Sequence, residues 1–393
     1  MGFMKITNVN SVYNELRRNI PEIYKIVSRI RNGDVSAFTP PSAFVGEYNY
    51  PKIHVGMLVS PERNSIVHDS PKYWVQNNYD VSRIFSLRST IVNASKAVSV
   101  QDIHNPITEK ISFSILSKEE VDVSMKLASV GAPKANFSEF RPNAVSATLD
   151  SLDINDNFKI DKPVEKVYYD SDLKADEGIK FLYENNVDEN KISKMLSLGT
   201  MGVKRKLVPT KWSITAVDQS VGEKFLDRIR LYEKGDDYIV KSGSFLGNLF
   251  TIVFMKGCWS FELLETWNRD ANNVMMGKGD YEFYWGRKSY VDNTAGAYYA
   301  IRLAVLEELE EMKKQYSVLV VREITPEYFA PLGVWVVREG ARKTLQSQQH
   351  GFSSLDEAIN AAKKRILFPQ GLESRSKLIK SYNNQTRLTD LSN

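Results

Sequence analysis

Between residues 11 and 32 apolar side chains return every three or four positions, at Leu16, Ile20, Ile23, Ile26 and Ile30, and Gly33 follows. That is the repeat of one helix face with a stop signal behind it, and Pro21 inside it predicts a kink or a division in two. The next stretch, FTPPSAFVGEYNYP, holds paired prolines and several rings, which predicts a packed loop leading into a strand at Lys52 to Val59. A helix is expected over Val81 to Lys96, with Arg83 and Arg88 on neighbouring faces. SKEE (Ser117 to Glu120) has the form of a capping box and predicts a helix running to Ala128. Residues 131 to 170 are polar, with an acidic run at Asp150 to Asp156, and read as loops with short strands.

Two amphipathic helical segments follow between 171 and 198, with Leu173, Ile179, Leu182, Ile192, Met195 and Leu196 spaced to lie on a sheet. In VPTKWSITAVD (Val208 to Asp218) Trp212, Ile214 and Ala216 alternate with Ser213, Thr215 and Val217, which predicts a strand opening into a helix from about Val221 to Tyr232. YIVKSG, LFTIVFMKG and CWSFELLETW are strand-like and separated by Gly243, Gly247 and Gly257, so the sheet is expected to be mixed or antiparallel. After the Gly-rich stretch MMGKGDYEFYWGRKSY a helix is expected at Thr294 to Lys314, then strands at Ser317 to Ile324 and Gly333 to Glu339, then helices at Gly340 to Leu345 and Ser354 to Ile366. The predicted class is mixed α/β, a mixed sheet flanked by helices with a smaller C-terminal α/β unit. The expected domains are 1–280 and 281–369, followed by a mobile tail at 370–393.

Composition narrows the function. A length of 393 residues with 42% hydrophobic and 11% aromatic positions suits two domains of an ordinary globular protein. A net charge of +4 permits contact with nucleic acid without arguing for it. The single Cys258 excludes an internal disulfide and a multi-cysteine zinc finger, and the four histidines lack the spacing of a local zinc motif. The longest apolar run, Leu249 to Met255, is far short of the roughly 20 residues that span a bilayer, and no signal segment is visible, so a soluble protein of a reducing cytoplasm is expected.

Three groups of residues could carry chemistry. Lys204, Arg205, Lys206 and Lys211 accompany Trp212, a set that could neutralise phosphates and stack on a base, or simply form a solvated loop. Asp218, Glu262 and Glu265, with Asp292 and Glu323, could hold Mg²⁺ or Mn²⁺ while Lys211 steadies a phosphate, or could be separate salt bridges. Glu262 and Glu265 on one strand would face opposite sides. Arg287, Arg302, Arg322 and Arg338 could clamp phosphate, or pair with carboxylates and hold strand ends together. No Walker or Rossmann phosphate loop is present. Cys258, in an apolar strand context, reads as inert core.

VPTKWSITAVD resembles the signature VPTRWSITAVD of the archaeal Nre family, with Lys211 in place of arginine. PPSAFVGEYNYP (Pro40 to Pro51), WSFELLETW (Trp259 to Trp267), AGAYYAIRLAVLEEL (Ala295 to Leu309) and REITPEYFAPLGVWVVRE (Arg322 to Glu339) carry the same resemblance over most of the chain. The residue after FVG is usually arginine in that family, whereas here it is Glu47, and the four-cysteine zinc module of some members is missing. The resemblance implies a DNA-repair factor that works with the sliding clamp PCNA. In the tail QTRLTDLSN, Gln385, Leu388 and Leu391 fill positions of a clamp-binding peptide, but no ring is present, so weak docking is expected. The reading is a repair factor that binds DNA and docks weakly on PCNA. The alternatives are a metal-dependent nuclease or nucleotide-processing enzyme with Asp218, Glu262 and Lys211 as catalytic groups, or a paralogue serving as a partner protein.

Overall fold

The computed structural model describes residues 9–30, 33–131, 145–155, 157–268 and 274–384. The chain forms two compact units. Among the described residues, one comprises 9–221 with Phe329–Trp335, and the other comprises Gly222–Tyr328 with 336–384.

The first unit begins with helix α1 (Val9–Ile30), whose Leu16, Ile23, Ile26 and Ile30 are buried as the helical repeat demands. Strands β1 (Asp34–Thr39), β2 (Ala43–Val45) and β3 (Lys52–Val59) follow, then helices α2 (Pro71–Gln76) and α3 (Val81–Ser89). Beyond them come β4 (Val92–Ser99), α4 (Pro106–Ser114), β5 (Val121–Val130) and β6 (Val145–Ile154). Helices α5 (Lys162–Tyr169), α6 (Ala175–Glu184), α7 (Glu189–Ser197) and α8 (Thr210–Ile229) complete the unit, α8 passing into the second unit at Gly222. The six strands pair in the order β1-β5-β6-β4-β3-β2, antiparallel except for β4 with β6.

Two expected helices are shorter or absent here. The helix from Val81 stops at Ser89, and the residues beyond it form β4, paired on both edges. SKEE does not cap a helix. The Ser117 hydroxyl accepts from the Glu119 amide at 3.1 Å, the Glu120 carboxylate accepts from the Ser65 amide at 2.8 Å, and the residues after it form β5 with inward and outward positions alternating. Local side-chain bonding here makes a turn rather than a helix start.

The second unit holds β8 (Tyr238–Phe245), β9 (Asn248–Met255), β10 (Ser260–Asn268), β11 (Val274–Met276), β12 (Asp280–Glu282), β14 (Ser317–Ile324) and β15 (His350–Phe352) in one sheet. Its order is β11-β10-β14-β9-β8-β15, with β12 also on β10; β10 and β14 run parallel and the other pairs are antiparallel. Two short strands, β7 (Glu233–Lys234) and β13 (Lys314–Gln315), pair separately. Helices α9 (Ala295–Met312), α10 (Trp335–Leu345), α11 (Leu355–Lys363), α12 (Leu372–Arg375) and α13 (Lys377–Asn384) follow in chain order. Phe250, Ile252, Phe254, Phe261 and Leu263 meet α9 on one face, while Val253, Met255, Leu264 and Leu319 meet α11 and α13 on the other. Cover on both faces is why these strands read as continuous apolar runs. The β8–β9 hairpin turns on Leu246 and Gly247, both at positive φ, and a Cβ on Gly247 would lie 2.5 Å from the Tyr328 amide nitrogen.

Three expectations are corrected. VPTKWSITAVD is the start of helix α8, not a strand: Ser213, Val217 and Val221 are buried at a four-residue spacing, and Trp212 is exposed. GVWVVRE likewise enters helix α10, with Val337, Ala341 and Leu345 buried at that spacing, so tertiary packing overrides the strand preference of its valines. The expected mobile tail is helical over 372–375 and 377–384, with Leu372, Leu378 and Ile379 buried.

Candidate functional site

In the first unit the loop PPSAFVGEYNYP docks on the start of α8. The Val45 amide donates to the Thr210 hydroxyl at 2.9 Å, Glu47 lies 3.6 Å from the Lys211 ammonium, and the Tyr50 and Trp212 rings sit 5.5 Å apart. Glu47 and Lys211 thus pair with one another. Trp212 remains 47% exposed, Tyr50 46% and Tyr48 63%, an aromatic surface that a helix start and a tight loop hold open to solvent. Upstream of α8, Lys204 and Lys206 are exposed, while Arg205 is tied down by the carbonyls of Gly202, Tyr168 and Asp170 and lies over the Tyr168 ring. The Leu207 and Val208 amides donate to the carbonyls of Val100 and Ser197, which fixes this stretch.

Beside the same helix start lies a cavity of about 90 Å³. Apolar side chains form much of its wall, among them Phe44, Leu58, Ile214, Leu332 and Trp335; its charged groups are Asp69, Arg88 and Lys194. Arg88 Nη2 is 2.8 Å and Lys194 Nζ 2.7 Å from the Asp69 carboxylate, to which the Ser42 hydroxyl also donates. Burial alone would raise the Asp69 carboxyl, but Arg88 and Lys194, with the Ser42 hydrogen bond, hold it well below the usual carboxylate range. Arg88 is 6% exposed, its guanidinium lies 5.0 Å over the Trp74 ring, and its Nε has no hydrogen-bond partner among the described residues. The Trp335 ring packs 5.3 Å from that of Trp74 and donates its N–H to the Leu332 carbonyl. Three of the five segments that carry the family resemblance therefore line one cavity, through Ser42, Ala43 and Phe44, through Thr210 and Ile214, and through Leu332 to Trp335.

The second unit uses its charged residues differently. Arg322 donates to Glu265 at 2.6 Å and twice to the Asn248 side-chain oxygen, at 3.0 and 2.7 Å, with Arg322 and Glu265 opposite one another across β14 and β10. Glu262 points to the other face, where the Ser376 hydroxyl and the amides of Lys377 and Leu378 take both its oxygens and cap α13. Burial pushes the carboxyls of Glu262, Glu265 and Glu323 up, opposed in each case by these donors or their counterparts. Glu323 accepts from the Leu367 and Phe368 amides. Arg302 is fully buried with Glu282 at 2.8 Å, and Arg287 is held by the carbonyls of Tyr281, Ser289 and Tyr290. Arg338 is buried on α10 and not at a strand end, and Asp218 is buried on α8. Asp292 is exposed, its amide donating to Asp280.

Among the described residues no group of three or more His, Cys, Asp or Glu side chains is placed to hold a metal ion. Cys258, expected in the core, is exposed in the turn between β9 and β10, because β9 ends at Met255. The clamp-peptide positions Gln385, Leu388 and Leu391 lie outside the described residues. No helix among the described residues is long and apolar enough to cross a membrane. Sequence reasoning missed the Asp69, Arg88 and Lys194 cluster; its members are far apart in the chain, Lys194 and Asp69 by 125 positions, and none sits in a motif.

The family models for the archaeal Nre N-terminal and C-terminal regions match residues 12–272 and 282–391. A DNA repair protein NreA of Archaeoglobus fulgidus is 37% identical, the match covering 90% of this chain and 89% of that one. NreB of the same organism, also named a DNA repair protein, is 34% identical over 84% and 85%. NreA of Haloferax volcanii is 30% identical over 81% and 80%. No solved structure matches the chain. Two matching family models and relatives of this identity over most of their length place the chain in the archaeal Nre family.

Proposed function

We propose that the chain acts in DNA repair by binding DNA through the surface at the start of α8, and that it docks weakly on PCNA through its C-terminal residues. The relatives' names support the repair role. The observation that carries DNA binding is the exposed Tyr50–Trp212 ring pair, preceded in the chain by the exposed Lys204 and Lys206. Rings open to solvent can stack on unpaired bases while lysines neutralise phosphates, a combination suited to single-stranded segments.

The test is fluorescence anisotropy on a labelled single-stranded oligonucleotide over a salt series. Trp212→Ala is expected to weaken binding by about 1–3 kcal/mol per base it stacks on. Replacing Lys204 and Lys206 by glutamine should flatten the salt dependence by about 0.7 log unit for each phosphate no longer neutralised. DNA affinity unchanged in both variants overturns the assignment of this surface. The clamp part rests on Gln385, Leu388 and Leu391; PCNA capture by a chain ending at residue 383 that matches capture by the full chain overturns it.

A further inference from the structure

We infer that the cavity beside α8 is a binding site for a small carboxylate monoanion with an apolar body. Two cations, Arg88 and Lys194, share one carboxylate, Asp69, so the three largely buried side chains, Lys194 the most open of them, carry one surplus positive charge. Their side chains are 7%, 18% and 6% exposed, so bulk water screens that charge poorly. A buried cation without its own counter-ion is costly, and a bound anion removes the cost. The Arg88 Nε adds a donor with no partner among the described residues. A monoanion balances the site, whereas a phosphate dianion would leave an extra negative charge facing Asp69.

Size and lining set the rest of the ligand. A water needs roughly 10–15 Å³ of such space, so about 90 Å³ admits a group of several heavy atoms but not a nucleotide. Phe44, Leu58, Ile214 and Trp335 offer that group an apolar wall. Nothing in this inference depends on the ring surface that carries the DNA reading, and its test uses no DNA.

The experiment titrates the full-length protein with isobutyrate, with its neutral isostere isobutyramide, and with inorganic phosphate, reading the melting temperature and ligand-observed NMR. Isobutyrate is expected to saturate and to raise the melting temperature with concentration, with the amide and phosphate at least about tenfold weaker. Lys194→Met cancels the surplus charge and should abolish the preference for the acid over the amide. Ile214→Phe fills the cavity from its apolar wall and should block binding while leaving the charges in place, which keeps the test decisive should the lysine variant not fold. Absence of saturation, equal binding of the amide, tighter binding of phosphate, or isobutyrate binding that survives Ile214→Phe each overturns the assignment.

Discussion

By residue type Arg322 is a candidate phosphate clamp, and its surroundings make the opposite prediction. Arg322→Met keeps the buried stem and removes the guanidinium, leaving the Glu265 carboxylate and the Asn248 side-chain oxygen without their donors. Arg322 is 0% and Glu265 8% exposed at the side chain, so water cannot stand in for the missing donors. Breaking one side of such a pair costs about 3–5 kcal/mol. For a unit of this size that lowers the melting temperature by about 2–4 °C per kcal/mol. The loss should depend on pH in a defined direction. Burial already holds the Glu265 carboxyl above its ordinary value, with Arg322 pulling it back down. Without Arg322 the carboxyl rises further, and a carboxyl raised on folding contributes stability that is present below its unfolded value and lost as pH rises through the folded one. The variant should therefore be closer to the wild type at pH 4 than at pH 8. Adding Glu265→Leu removes the orphaned acid and should recover most of the loss, to within about 1.5 kcal/mol of the wild type. Urea denaturation of the two single variants and the double variant measures the coupling. A loss below about 1 kcal/mol, joined to weakened binding of DNA, would show that Arg322 is an available phosphate ligand and refute the argument.

Two further outcomes follow from the first unit. Asp69→Asn leaves Arg88 and Lys194 facing one another without the carboxylate between them and should cost about 3–5 kcal/mol near neutral pH. Because Asp69 is held low on folding, its contribution is present above its ordinary value and lost as pH falls below it, so the acid arm of the stability curve should be shallower in the variant than in the wild type, measured by thermal melts from pH 7 to pH 3. Glu47→Arg removes the carboxylate 3.6 Å from Lys211 and should tighten DNA binding and steepen its salt dependence; unchanged anisotropy curves would show that this edge of the surface does not meet DNA.

The elements read correctly from sequence are those whose pattern is long or whose surroundings are uniform. α1 holds its apolar stripe over several turns, and β9, β10 and β14 are apolar on both faces because helices cover both. VPTKWSITAVD misleads because identity and burial disagree: the Trp212 ring that suggests a core face is exposed, and the polar Ser213 is buried with its hydroxyl 2.5 Å from that of Ser197. Only the tertiary partner reveals that, and β-branched Ile, Thr and Val add a local preference in the wrong direction. SKEE misleads for a related reason. Its glutamate finds a better donor in Ser65, 55 positions away, than at its own backbone.

The same question of partners decides which charges can act on a ligand. Paired carboxylates and arginines are legible as residue types, but type does not say whether a charge is already engaged. Glu265 is engaged by Arg322, Glu282 by Arg302, and Glu262 by the start of α13. Lys211 is partly engaged by Glu47. Lys204 and Lys206 remain exposed, and Arg88 with Lys194 outnumbers the one acid between them. A surplus at the surface attracts a polyanion through water and loses strength with salt, whereas a surplus in the wall of a small cavity selects a single charge of matching size. The start of α8 stands between the two, contributing Trp212 to the surface and Ile214 to the cavity wall, so a change in one can be checked for its effect on the other by measuring both ligands on the same variants.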